Sequence, residues 1–223
     1  MATKLVLGAN RGIGLAVVEQ LCAAGETVVA TCRSERGGLD QTAARVIEQI
    51  DLSEEQSRQR LVSELRDSPP DWVLFNAGVL SVEQLGTLDE AAEANIRRQF
   101  EINALAPLMT IQALCPLLAV GSRIGILTSR MGSMADNGSG GYYGYRMSKA
   151  AVNAMGRSLA MDLRDQGVAV ALLHPGFVRT QMTGNRGDID PAQAASGLIA
   201  RMAALEITNS GRFWHANGEE LPW

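Results

Sequence analysis

Short apolar runs alternate with amphipathic stretches along almost the whole chain. Residues 3–7 form an apolar run that stops at Gly8, and residues 12–24 then take up a helical period through Ile13, Val17, Val18 and Leu21. The pattern predicts strand, glycine turn, helix. Gly25 stands where that helix must end, and residues 27–32 form the next apolar run. A third strand is expected over residues 45–50, after a polar, glycine-containing stretch that leaves room for a single helical turn. Ser53 is placed to cap a polar helix over residues 54–67, and the turn Ser68-Pro69-Pro70-Asp71 leads into a fourth, buried strand at 72–75. Residues 87–105 and 106–118 predict two successive helices, the second with Pro107 in its first turn, where a missing N–H costs nothing. A strand at 123–128, a helix from about Tyr143 to 163, a strand at 168–173, a helix at 191–204 and a last strand at 212–215 complete the pattern.

These strands are nearly continuous in apolar residues, which indicates a parallel sheet covered on both faces. The expected fold class is α/β: one doubly wound, Rossmann-like domain over residues 1–223, with about seven parallel strands. Such sheets bind ligands at the carboxyl ends of their strands, so the residues just after each strand carry the functional reading.

Composition narrows the partners. A formal net charge of −4 and a pI near 5.3 argue against nucleic acid and anionic membrane as partners. No apolar run approaches the 18 or so residues of a membrane span, so no membrane segment is expected. Cys22, Cys32 and Cys115 are odd in number and scattered through apolar runs, which fits buried thiols in the cytoplasm better than disulfides. His174 and His215 are the only histidines, and no metal site is expected.

Gly8-Ala9-Asn10-Arg11-Gly12-Ile13-Gly14 lies between the first strand and the first helix. There, glycines let a pyrophosphate approach the backbone and the helix N-terminus attracts it. At the end of the second strand, where an acid would bind free ribose hydroxyls, the chain has Cys32 and then Arg33. An arginine suits a 2′-phosphate, with Arg11 as a possible helper, and favours NADPH/NADP+ over NADH. Tyr145 and Lys149 fall one turn apart on one helical face, where a cation would favour phenolate. By itself that spacing also describes an ordinary solvated helix edge.

Taken in order, the motifs are the glycine loop, Asp51 after strand three, Asn76-Ala77-Gly78 after strand four, Asn103, Ser129 after strand five, Tyr145-x3-Lys149, and His174-Pro175-Gly176 through Thr180. In this order the chain resembles the short-chain dehydrogenase/reductase family, in the carbonyl-reductase branch that includes sniffer and C-factor-like proteins. The resemblance spans essentially the whole chain. It implies an NAD(P)-dependent oxidoreductase acting on a small carbonyl or alcohol, with Asn103, Ser129, Tyr145 and Lys149 as the catalytic set. It also implies Asp51 and Leu52 near adenine, Asn76, Ala77 and Gly78 along the cofactor, and Pro175, Gly176, Val178 and Thr180 near the nicotinamide. Asn103 would hold a water that links Lys149 to solvent.

Leu7 and Phe75 replace a Thr and an Asn usual in the family, which removes polar ties between the loops after strands one and four. Ser129 and Tyr145 are 16 residues apart, so the loop between them carries an insertion, with Ser133 and Ser139 as competing serines. The short segment between Thr180 and Pro191 predicts a small lid and an open cleft. A regulatory cofactor-binding protein and an epimerase or dehydratase on the same scaffold stay as alternatives. A homodimer or homotetramer, paired through the helices over 87–118 and the helix after Tyr145, is expected.

Overall fold

A computed structural model describes residues 3–223. Its strands are β1 (Thr3–Leu7), β2 (Thr27–Thr31), β3 (Arg45–Ile47), β4 (Pro70–Phe75), β5 (Arg123–Leu127), β6 (Ala169–His174) and β7 (Phe213–His215). All pair in parallel, in the order β3-β2-β1-β4-β5-β6-β7. The chain starts mid-sheet, works outward to β3, returns beside β1 with β4 and continues outward to β7. The reversal between β1 and β4 opens a crevice at the carboxyl ends of the central strands.

The helices are α1 (Gly12–Ala23), α2 (Glu55–Leu65), α3 (Glu90–Phe100), α4 (Ala106–Leu114), α5 (Tyr143–Asp162) and α6 (Pro191–Ala203). Successive strand residues point to opposite faces, so β1 feeds two cores. Leu5 and Leu7 pack with Leu61, Ile111 and Val152 of α2, α4 and α5. Val6 packs with Val17 and Val18 of α1 and Leu198 and Met202 of α6. This two-sided burial explains why the strands read as unbroken apolar runs.

Several boundaries differ from the sequence expectation. β3 stops at Ile47 because Gln49 takes φ 55 and turns the chain. Ser53 caps no helix: its N–H and Oγ both donate to Asp51 Oδ1, and the N-cap of α2 is Glu54. α3 starts at Glu90, with Asp89 Oδ1 accepting the Ala92 N–H at 2.8 Å. The two helices expected over 87–118 join through a wide π turn, Glu101–Leu105. The resulting run Glu90–Leu117 is long and apolar enough to cross a membrane by length and composition, contrary to expectation. It nevertheless carries Glu90, Glu93, Arg97 and Arg98 in its first turns and packs on α2 and α5 as a layer of the fold.

Candidate active site

The loops after β1 and β4 are tied together despite Leu7 and Phe75. The Leu7 carbonyl accepts the N–H groups of Asn76 and Ala77 at 3.1 and 3.2 Å, and Asn76 Nδ2 donates to the Gly8 carbonyl at 2.6 Å. Gly8 sits at φ 75, and a Cβ there would lie 2.8 Å from Ala77 Cβ. At Gly14 a Cβ would meet Asn76 Nδ2 at 2.6 Å, so this close approach of loop and helix requires glycine. α1 begins after Arg11 in extended conformation with no side-chain cap. Its first N–H groups therefore lack a capping side chain, beside a Gly12 where a Cβ would lie 3.5 Å from Thr180 Cγ2. Such an end fits a pyrophosphate. Asn10 and Ile13 shape the loop: Asn10 Nδ2 donates to the Glu35 carbonyl at 3.1 Å, and Ile13 packs against the α1 core.

Arg33 follows β2 and is 60% exposed, with one nitrogen 3.9 Å from Asp51 Oδ2. Burial pushes the Asp51 carboxyl up, but hydrogen bonds from Ser53 and the charges of Arg33 and Arg98 outweigh it, leaving a net shift below the usual range. Leu52 is buried beside them. Arg11 does not join this group: its guanidinium donates to Gln181 Oε1, in the segment after β6.

Ser129 ends the β5 segment and starts a short turn, Arg130–Gly132, where its Oγ accepts the Met131 N–H at 3.1 Å. That bond leaves the hydroxyl proton free, and Ser129 lies near enough to the Tyr145 phenol to pull its pKa down. The competing serines also accept N–H bonds, but neither is the serine beside the Tyr145 phenol. Ser133 Oγ accepts the Asp136 N–H, and Ser139 Oγ accepts from Arg146 on an exposed loop. Arg146 also donates to the Gly141 and Met131 carbonyls, which fastens the loop between Ser129 and Tyr145 to α5.

Lys149 Nζ donates to the Leu127 carbonyl at 2.8 Å and lies 5.7 Å from the centroid of the Tyr145 ring. Both side chains are buried. Burial pushes the phenol up to about 12, opposed by the Ser129 hydrogen bond, and pushes Lys149 down to about 8. Desolvation is thus the larger influence on both groups, in contrast to the expectation that the lysine charge governs the phenol.

Asn103 lies in the π turn, with Oδ1 accepting the Val79 N–H and Nδ2 donating to the Val79 carbonyl and to Ser148 Oγ. A Cβ on Gly78 would fall 3.2 Å from Asn103 Oδ1 and 3.7 Å from Lys149 Nζ, so the glycine keeps the space between them open. Past β6, Pro175 and Gly176 lead to Val178, which bridges to Ile189, and Thr180 approaches Gly12. The Phe177 carbonyl accepts the Asp188 N–H at 2.8 Å, so the short lid segment is closed on itself. His174 and His215 meet edge to face with centroids 4.9 Å apart. Among the described residues no cluster of metal-ligating side chains forms.

The sequence reading passed over Glu83, Gln99 and Ser148, three buried polar residues packed beneath Tyr145 and Asn103. For Glu83 a signal did exist: the stretch Gly140-Gly141-Tyr142 before α5 offers no Ser, Thr, Asp or Asn to cap it.

The family model for short chain dehydrogenases matches residues 2–190. The chain belongs to that family. A relative of this dehydrogenase, the 1-hydroxy-2-glutathionyl-2-methyl-3-butene dehydrogenase of Rhodococcus sp. (strain AD45), is 43% identical over 229 residues, covering 100% of both chains. Among solved structures, the carbonyl reductase Sniffer of D. melanogaster superposes with a TM-score of 0.91 at 27% identity, covering 100% of both chains. NADPH-bound carbonyl reductase from chicken fatty liver superposes at 0.89 with 27% identity, covering 100% of this chain and 98% of that one. The protein is an oxidoreductase of the short-chain dehydrogenase family, built on the same fold as these carbonyl reductases.

Proposed function

We propose that this dehydrogenase reduces a ketone or aldehyde to an alcohol with NADPH, and that Tyr145 is the proton donor. The observation that carries the reading is the convergence of Ser129 and Lys149 on one buried phenol at the carboxyl end of the sheet. NADPH, when bound, supplies the hydride. The bare start of α1, with Gly12, Ile13 and Gly14, would hold its pyrophosphate, and Asn76, Ala77, Gly78, Val178 and Thr180 would line it. Arg33, largely solvent-facing and bound only loosely to Asp51, would take a 2′-phosphate, and the NADPH found in the chicken reductase supports that preference.

With a phenol near 12, Tyr145 is fully protonated at neutral pH and ready to give its proton to a carbonyl oxygen. Ser129 would donate to the same oxygen, and Lys149, still cationic below about 8, would stabilise the phenolate left behind. The opening kept by Gly78 between Asn103 and Lys149 gives a water room to return the proton. We place the reaction in the cytoplasm, in keeping with three free cysteines, and the active species as a homodimer or homotetramer.

A second reading is favoured by the full-length match to the Rhodococcus enzyme: oxidation, with NADP+ or NAD+, of an alcohol carrying a glutathione thioether. One screen separates the two. Oxidation of NADPH and NADH is followed over aldehydes, ketones and diketones, and reduction of NADP+ and NAD+ over hydroxyalkyl glutathione conjugates, with Tyr145→Phe beside each. The primary reading expects carbonyl reduction with NADPH and a loss of roughly 100-fold or more in Tyr145→Phe. Preference for NADH removes the role given to Arg33, and cofactor binding without turnover in either direction points to a regulatory protein.

A further inference from the structure

A helix N-terminus leaves its first N–H groups without partners inside the helix, and α5 lacks its own means of covering them. Its N-cap is Tyr142, held at φ 53 and ψ 41 in the left-handed region without a side-chain cap, and its first turn contains no acidic residue. Yet this is the turn that carries Tyr145. The cover comes from Glu83, in the loop after β4. Its backbone carbonyl accepts the Tyr142 N–H at 2.9 Å, and its side-chain Oε2 accepts the Gly144 N–H at 3.1 Å. The other carboxylate oxygen, Oε1, accepts from Ser81 Oγ at 2.6 Å and from Gln99 Nε2 at 2.7 Å. Gln99 Oε1 in turn accepts the Ser81 N–H at 3.0 Å, which locks the orientation of the amide. Glu83 and Gln99 are 4% and 1% exposed, so this cluster is shielded from water.

We infer that Glu83 is the positioning residue for Tyr145, capping α5 from a distant loop and fixing the turn that carries the phenol. The inference rests on the reading of Tyr145 as proton donor. Gly144 immediately precedes Tyr145, so freedom at its N–H is passed directly to the root of the phenol side chain. The rest of α5 is held otherwise, by Val152, Leu159 and Ala160 in the core against β6. Loss of Glu83 therefore frays one turn and leaves the helix in place. Glutamine cannot stand in for it. An amide has one acceptor oxygen, so it cannot face the Gly144 N–H on one side and the Ser81 and Gln99 donors on the other without opposing two N–H groups.

The test compares Glu83→Gln and Ser81→Ala with the parent protein, using NADPH and 4-nitrobenzaldehyde as the probe substrate. In Glu83→Gln, kcat is expected to fall roughly 10- to 100-fold, with NADPH affinity and far-UV circular dichroism unchanged. Ser81→Ala, which only loosens the carboxylate, falls about 3-fold. Amide exchange of the NADP+-bound protein gives a readout free of substrate: residues 142–146 exchange faster in Glu83→Gln while residues 150–160 keep their protection. Parent kcat and parent exchange in Glu83→Gln overturn the inference. So does a loss of activity that runs in step with lost NADPH binding and lost helix, and if Glu83→Gln does not fold, an unchanged Ser81→Ala overturns it. An inactive Tyr145→Phe beside a fully active Glu83→Gln sinks this inference alone, whereas a fully active Tyr145→Phe sinks the reading beneath it.

Discussion

At Lys149 a single side chain sets a pH limit on the proposed reaction. Burial lowers its ammonium to about 8, so its cation is present below that pH and lost above it. The phenol of Tyr145, raised to about 12, stays protonated throughout the same range. The logarithm of kcat/KM for reduction should therefore be flat at neutral pH and decline above about pH 8, because the phenolate formed during proton donation loses its stabilising charge. In Lys149→Arg the guanidinium keeps its charge, so that decline should move to higher pH even though the absolute rate falls. A profile still flat to pH 10 would remove Lys149 from the electrostatics of the step. The placement of Ser129 just past β5 and of Tyr145 and Lys149 one turn apart on α5 was legible in the sequence, because strand ends and helical period show there. The energetics were not, since the desolvation that governs both pKa shifts comes from how completely α5 is buried.

Helix α5 shows what an element needs beyond its own sequence. Gly144 brings it against α3 so tightly that a Cβ would lie 2.3 Å from Gln99 Nε2 and 3.0 Å from the Cα of Ile96. The Gln99 amide is a movable side-chain end, but the Ile96 backbone is not. Gly144→Ala gains about 1 kcal/mol of helix propensity and loses more to overpacking, for a net loss of about 1–2 kcal/mol. Urea unfolding at pH 7 should show a lower midpoint with an unchanged slope, and kcat should fall with it. An unchanged midpoint would mean that α3 moves away freely. The start of α5 at Tyr143 was readable from its periodicity, as were α1 and α6 from their apolar faces. The π turn at Glu101–Leu105 was not, because it sits where Asn103 is pinned to Val79 from another part of the chain. The same holds for β3, shortened by a left-handed Gln49 that no local pattern announces. Long-range hydrogen bonds and backbone exceptions leave no period to read.

On the scale of the molecule, the α3–α4 run and α5 carry exposed apolar side chains: Phe100, Leu105, Leu108, Met109, Met147 and Met161. Their exposure supports the proposed self-association through these helices. Sedimentation velocity at micromolar concentration should show a dimer or tetramer, and Leu105→Glu with Leu108→Glu should shift it to monomer with the circular dichroism unchanged. A parent protein that sediments as a monomer rules this pairing out. Strand order has a different consequence, one for the ribosome. After β4 returns beside β1, each later strand joins the free edge left by the one before it, in the order β4, β5, β6, β7. A parallel sheet built this way can grow as it is translated, because every arriving strand finds its neighbour already made. Arg11, however, finds Gln181 only after β6 has emerged, so a nascent chain holds its glycine loop and Tyr145 before the segment past β6 can be tied back to that loop.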